Sequence, residues 1–319
     1  MTETVICTLY RFTPVAELER WRARLLAVMQ RSGVLGTLVL AGEGINGTIA
    51  GGRGGVEAVL AWLRRQPGLG GLEARESFAD APPFKRARVK IRREIVTLGV
   101  DGVDVARAGG HVEAEDWNAL LDDDEVLVID TRNQYEVSIG AFDGAVNPRT
   151  THFREFPDFA ARQLDANRHR PIAMYCTGGI RCEKSTAYLK RRGFERVYQL
   201  KGGILNYLSS VPESQSRWRG ECFVFDERVT VDHRLRRGRY DQCHACRMPI
   251  SDADKRSDRY TPGASCPHCF ERTPAARRSR FLQREKQMAL AARRGMAHMG
   301  PEAMAARGAG HPGNARQSG

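Results

Sequence analysis

Tyr175-Cys176-Thr177-Gly178-Gly179-Ile180-Arg181-Cys182 lies between the apolar run Pro171-Ile172-Ala173-Met174-Tyr175 and a segment from Glu183 through Ala187, Tyr188 and Leu189 to Gly193. The run reads as a short buried strand and the following segment as a helix with a glycine stop. The octapeptide is then a strand-to-helix turn with Cys176 at the mouth of the helix. Backbone N–H groups in such a loop converge on the sulfur, while the helix dipole and Arg181 favour the anion and lower the thiol pKa. Cys176 is therefore a candidate nucleophile, with Arg181 as its electrostatic stabiliser. Cys182, at the helix start, is either a packing residue or a resolving thiol.

Four residues separate Cys176 from Arg181, one fewer than in the cradle of cysteine phosphatases, and the smaller loop suits a single sulfur atom. Upstream stand Val126-Leu127-Val128-Ile129-Asp130-Thr131-Arg132-Asn133-Gln134-Tyr135-Glu136, Gly140-Ala141-Phe142 and Gly144-Ala145-Val146-Asn147; downstream stands Val197-Tyr198-Gln199-Leu200-Lys201-Gly202-Gly203-Ile204. With these flanks the chain from about 115 to 210 resembles rhodanese domains, and the domain is expected over 112–212. In that resemblance Asp130 and Arg132 form the D-x-R turn and brace the fold without entering the reaction.

The chain has 319 residues, too many for one average domain at about 150 residues each. Hydrophobic residues make up 41%, yet no apolar run approaches 18 residues and no basic-apolar-small leader is present, so the reading is a cytoplasmic protein without membrane contact. Four of the eight cysteines fall in two close pairs, which with a reactive loop thiol fits a reducing compartment and not a disulfide scaffold. The net charge of +12 favours a polyanionic partner, most simply nucleic acid.

Residues 1–98 read as a β-α-β-β-α-β domain, a ferredoxin-like or acylphosphatase-like sandwich. Its elements are strands at Val5 to Leu9, Val34 to Leu40, Thr48 to Ala50, and Leu72 to Phe78 with Val89 to Leu98, and helices after Thr13-Pro14 and over Val56 to Leu63. Gly42-Glu43-Gly44-Ile45-Asn46-Gly47-Thr48 is open to two readings, close backbone approach to a ligand or an ordinary hairpin. Basic and apolar residues alternate in Lys85-Arg86-Ala87-Arg88-Val89-Lys90-Ile91-Arg92-Arg93. A strand there puts Arg88, Lys90 and Arg92 on one face, and with Lys85, Arg86 and Arg93 they form a candidate strip for RNA phosphates. The bland reading is a charged edge strand protected from aggregation.

Beyond Pro212 the composition shifts, and a cysteine-rich module is expected over 218–273. Cys243-His244-Ala245-Cys246 and Cys266-Pro267-His268-Cys269 are two C-x-x-C knuckles nineteen residues apart, the spacing of a closed tetrathiolate zinc site with a structural role. So small a module with few large apolar residues draws its folding energy from the metal. The last segment, 274–319, carries Arg277, Arg278, Arg280, Arg284, Lys286, Arg293 and Arg294 on a helix-prone stretch and then passes into Gly, Ala, Pro and His, a composition that reads as disordered.

An α/β chain with this N-terminal sandwich, the Cys-Thr-Gly-Gly-Ile-Arg-Cys-Glu loop, Gly220 to Arg228 and two C-x-x-C pairs resembles the tRNA uridine hydroxylase family. That resemblance implies a tRNA partner, molecular oxygen as co-substrate and hydroxylation of wobble uridine 34 to 5-hydroxyuridine, with Cys176 as the essential thiol. No motif for a flavin or a nucleotide cofactor is visible, nor a histidine–carboxylate set for non-haem iron. A thiol-centred route, in which Cys176 adds to C6 of uracil and activates C5, fits the residues, and a sulfur or electron donor would complete it. Two rivals remain: a persulfide-carrying sulfurtransferase, and an RNA-binding redox sensor.

Overall fold

The computed structural model describes residues 3–166 and 170–293, in two compact units: Met1–Pro83 with Ala87–Gly238, and Phe84–Arg86 with Arg239 onward. In the first unit, β1 (Thr4–Phe12), α1 (Leu18–Arg31), β2 (Leu35–Ala41), β3 (Gly44–Gly51), α2 (Arg53–Arg64), β4 (Ala74–Ala79) and β5 (Ala87–Ile91) build a sheet of order β4-β1-β3-β2-β5. The first four strands are antiparallel neighbours in the split β-α-β pattern of the expected sandwich. A fifth, β5, lies parallel to β2 at the edge, one strand more than the pattern requires.

Alternation selects the face that packs. Val5, Cys7 and Leu9 of β1 turn inward with Leu38 and Leu40 of β2, and the stripes Leu25–Val28–Met29 on α1 and Val56–Val59–Leu60–Leu63 on α2 close over them. Each such buried aliphatic side chain contributes about 1.5–3 kcal/mol of transfer free energy.

Thr13-Pro14 does not start α1. The N–H groups of Thr13 and Val15 donate to the carbonyls of Glu43 and Gly42 at 2.9 and 3.0 Å, so the chain stays extended after β1 and the helix begins only at Leu18, behind Glu17 in a left-handed conformation. Gly42 and Glu43 form a two-residue hairpin turn, since Ala41 pairs with Gly44. The hairpin reading of the glycine-rich stretch therefore holds, and its polar residues brace the neighbouring chain: Glu43 accepts from the Ile95 N–H at 2.7 Å and Asn46 donates to the Ile95 carbonyl at 3.0 Å.

The rhodanese part follows in the same unit as β6 (Gly110–Val112), α3 (Trp117–Leu121), β7 (Leu127–Asp130), α4 (Gln134–Val137), β8 (Gly140–Phe142), α5 (Phe156–Gln163), β9 (Ile172–Tyr175), α6 (Ile180–Arg191), β10 (Val197–Leu200) and α7 (Gly203–Ser210). Its sheet is parallel, of order β6-β10-β9-β7. All four residues of β9 are buried, as expected of a strand covered on both faces.

The boundary expected at 218 falls elsewhere. β11 (Trp218–Gly220) pairs with β8, and Trp218, Cys222, Val224 and Val231 join the rhodanese core through the hairpin of β12 (Cys222–Phe223) and β13 (Thr230–Val231). Trp218, Cys222, Val224 and Val231 are taken up by that core, and the break comes after Gly238. The second unit holds β14 (Asp241–Gln242), β15 (Pro249–Ile250), α8 (Asp252–Lys255) and α9 (Ala275–Arg293). The basic helix expected after 274 is α9; Arg294 and the expected disorder beyond it lie outside the described residues. Among the described residues no helix is long and apolar enough to cross a membrane.

Candidate active site

β9 delivers Cys176 to its C-terminal end, where α/β folds place their sites. The turn that follows is drawn tight by bonds to its own carbonyls. At the start of α7 the N–H groups of Ile204 and Leu205 donate to the carbonyls of Cys176 and Thr177 at 2.9 and 3.1 Å. Gly203 permits this approach, because a Cβ there would stand 2.4 Å from the Cys176 carbonyl oxygen. With the carbonyls engaged by α7, loop amides are left for the sulfur, and the Gly179 N–H donates to Cys176 Sγ at 3.1 Å. Gly179 sits at φ 95°, as the N-cap of α6.

Cys176 is buried, and burial alone pushes its thiol up. A hydrogen bond from the Cys182 thiol, the charge of Arg181 and the N–H groups of Arg181 and Cys182 outweigh that and bring it down to about 6. Cys182 moves the opposite way, through its own burial and the neighbouring Cys176, and its Sγ lies 3.6 Å from the Thr131 hydroxyl. Of the two thiols, Cys176 is the one favoured as thiolate. The structure brings Cys176, Arg181 and Cys182, the three residues read from the sequence, together around one loop.

Arg181 does not act alone. Its guanidinium makes a buried fork with Glu136, Nη1 to Oε2 at 2.8 Å and Nη2 to Oε1 at 2.6 Å. Glu136 also accepts from the Asn133 N–H at 3.1 Å and the Thr177 hydroxyl at 3.4 Å. The fork fixes the guanidinium beside the loop and removes part of its charge from the sulfur. Phe225, 62% exposed, carries that guanidinium at 5.9 Å from its ring centroid. A buried Asp226–Arg228 pair holds the turn that presents it.

The N-terminal sandwich reaches the same loop. Tyr10 of β1 donates to Glu183 of α6 at 3.1 Å, and Gln199 and His111 lie 3.0 Å from the same carboxylate. Burial opposes the charge on Glu183, but these partners hold its carboxyl below the usual range. The bond to Glu183 holds His111 above its ordinary value. Next along α6, the buried Lys184 pairs with Glu43 at 2.8 Å and Glu94 at 2.5 Å, tying the hairpin turn to the helix. Glu136, Glu183 and Lys184 were readable in the quoted stretches only as residue types. No local pattern marks Tyr10 or His111 as their neighbours.

The basic strip is shorter than its sequence. Val89 is buried and Arg88 and Lys90 stand half-buried between its neighbours on β5, while Arg92 is exposed just past the strand, its N–H still bonded to the Leu40 carbonyl. Arg93 pairs with Asp101 at 2.6 Å. Lys85 and Arg86 precede the strand and group with the second unit.

In that unit the Sγ atoms of Cys243, Cys246, Cys266 and Cys269 lie within 4.8 Å of one another. Two edges measure 3.7 Å (Cys246–Cys266) and 3.8 Å (Cys266–Cys269), matching the edge of about 3.8 Å that a tetrahedron with 2.3 Å zinc–sulfur bonds requires. The cluster can hold a metal ion such as zinc. The apolar residues around it are few: Ile250, with Ala245 and Tyr260 against it.

Residues 4–95 match the UPF0176 acylphosphatase-like domain and residues 113–210 the rhodanese-like domain. The chain joins a UPF0176 acylphosphatase-like domain to a rhodanese-like domain. This pairing is consistent with the UPF0176 family. Among solved structures, the rhodanese-like domain of an Anabaena protein is 21% identical over 34% of this chain and 78% of its own, with a TM-score of 0.28. A rhodanese-related protein from Thermoplasma volcanium is 19% identical over 32% and 95%, TM-score 0.27. A rhodanese-like domain protein from Staphylococcus aureus is 22% identical over 31% and 90%, TM-score 0.27.

Proposed function

We propose that this chain is a tRNA-modifying oxidoreductase that hydroxylates wobble uridine at C5, with Cys176 as nucleophile. The observation that carries the reading is the Cys176 sulfur, bonded by the Gly179 N–H and favoured as thiolate by Arg181 and Cys182. The net charge of +12 and the Arg88–Lys90–Arg92 face supply attraction to RNA, and a reducing cytoplasm suits the thiols.

Cys176 Sγ bonds to C6, and the C5=C6 electron pair moves onto the C5–C4–O4 enolate. The enolate takes one oxygen atom from O2; the other leaves as water, with two electrons and two net protons from a thiol donor. Loss of the C5 proton and departure of the thiolate restore the double bond. The Glu136-anchored Arg181 and the loop N–H stabilise the sulfur as it attacks and as it leaves. His111, on Glu183, is the ionisable group from which a proton relay would start. The four-cysteine cluster is assigned a structural zinc, closed to catalysis because four thiolates leave no open position.

A second reading draws on the rhodanese-like domain itself: the same cradle suits the outer sulfur of a persulfide, and the product would be thiolated. Exact-mass spectrometry of nucleosides from tRNA incubated aerobically with a thiol reductant separates the two. A Cys176-dependent gain of oxygen on uridine supports hydroxylation, a sulfur-for-oxygen exchange supports transfer, and full hydroxylation by Cys176→Ser would sink the thiol mechanism.

A further inference from the structure

A cleft of about 630 Å³ lies between the N-terminal sheet and the nucleophile loop, within the roughly 300–1,000 Å³ of small-molecule sites. β1 lines it with Tyr10, Arg11 and Phe12, β4 with Arg75, and the turn before α7 with Lys201; Gly178 brings the nucleophile loop to it. Three permanent cations thus share the cleft with two acids, Glu73 and Glu183, and Glu183 is already engaged by Tyr10, His111 and Gln199.

Arg75 is held as a fixed donor. Its guanidinium lies across Gly202, where a Cβ would stand 1.9 Å from Nη2, and Nη1 donates to Asn206 Oδ1. Asn206 in turn donates to the Lys201 carbonyl at 3.0 Å. Any side chain at 202 would displace the arginine. The Lys201 ammonium pairs with Glu113 at 2.5 Å, but both side chains are about half exposed, and such a pair is weak enough to be exchanged for a phosphate. Beside the cations, Tyr10 and Phe12 meet edge to face with centroids 6.2 Å apart.

We propose that this cleft seats the RNA nucleotide adjoining the reacting base, its phosphate on Arg75 and Lys201 with Arg11, and its unstacked base against Tyr10 and Phe12. The assignment rests on the RNA-modifying reading and adds where the RNA binds. Guanidinium forks and ammonium groups match a phosphodiester, and single-stranded RNA is gripped by stacking its splayed bases on aromatic rings. Gly178, two residues from Cys176, places such a nucleotide one unit along the strand from the sulfur. A small inorganic sulfur donor would need neither the rings nor the volume.

The test is equilibrium binding of an anticodon stem-loop RNA with a wobble uridine to the full chain, over a salt series, with Arg75→Gln, Lys201→Ala and the control Arg20→Ala on the exposed face of α1. Arg75→Gln and Lys201→Ala should each weaken binding about tenfold and reduce the salt slope by about one, with Arg20→Ala unchanged. Wild-type affinity and slope in both cleft variants would overturn the assignment. Thermal melting checks folding; if Arg75→Gln is unfolded, the half-exposed Lys201→Ala decides. Cleft-dependent binding without any modified uridine sinks the enzymatic reading and leaves the cleft standing. Uridine modified at wild-type kcat/KM by both variants removes the cleft and leaves the enzyme. Absence of RNA binding by the wild type removes both.

Discussion

Asp130–Arg132 and Glu136–Arg181 are both buried ion pairs of the rhodanese part, yet they do different work. Arg132 spends all three of its side-chain nitrogens on the scaffold: Nε and Nη2 on Asp130, Nη1 on the Glu136 carbonyl at 3.2 Å and Nη2 on the Gly140 carbonyl at 2.6 Å, with the Trp218 ring 5.0 Å away. Its partner is two residues away. Arg181 is tied at one end to a carboxylate 45 residues distant and works on the Cys176 sulfur at the other. A buried pair whose guanidinium is spent on the fold is a brace; one placed beside a nucleophile sets that nucleophile's charge.

The sharpest way to break this contrast is Asp130→Ala. It strands a fully buried guanidinium and should destabilise the first unit by about 3–5 kcal/mol, read as denaturant midpoint. The Cys176 alkylation rate per folded molecule should be unchanged; a large fall in that rate would make Asp130 part of the site.

Arg181→Met should destabilise less, about 3 kcal/mol, since Glu136 keeps the Asn133 and Thr177 donors. Its diagnostic effect is on titration. Removing a cation and exposing the sulfur to an unbalanced carboxylate both disfavour the thiolate, so the Cys176 pKa must rise from about 6 toward the free-thiol range. The pH profile of iodoacetamide alkylation reads this: the rate should climb through about pH 6 in the wild type and at higher pH in the variant. An unmoved limb would mean that Arg181, like Arg132, is only a brace.

Chelation of a metal ion held by the four thiols should unfold the second unit and leave the melting of the first unit unchanged, because Ile250, Ala245 and Tyr260 make a small core. Circular dichroism with and without the chelator checks it. The smallest stability change is expected for Phe225→Ala, under about 1 kcal/mol for a ring already 62% exposed. Yet it should weaken RNA affinity several-fold if Phe225 is a stacking surface at the loop.

Much of this was legible in the chain. The strand, the Cys176 loop and the helix that ends before Gly193 follow from short-range patterns, as do the sandwich and the two C-x-x-C knuckles. The misread parts share one physical feature. Thr13-Pro14 has the residue types of a helix start, but its backbone was captured by Glu43 and Gly42. The chain beyond Pro212 has the composition of a new module, but Trp218, Cys222, Val224 and Val231 pack into the rhodanese core. In both places a tertiary partner overrode a local preference.

The sequence by itself determined the periodicities, the turn geometry and the cysteine spacings, because those depend on residues within a few positions of one another. It marked Cys176, Arg181 and Cys182 as one loop, and four thiols as one cluster. Only the tertiary structure decided that Glu136 anchors Arg181, that Tyr10 meets Glu183 across 173 residues, and that Lys184 ties Glu43 and Glu94 to α6. Alternation tells a side chain which face it occupies and says nothing about what the opposite surface brings to it. Partners so distant in the chain are chosen when the sheets and helices pack, and the desolvated charges left facing each other then become the site.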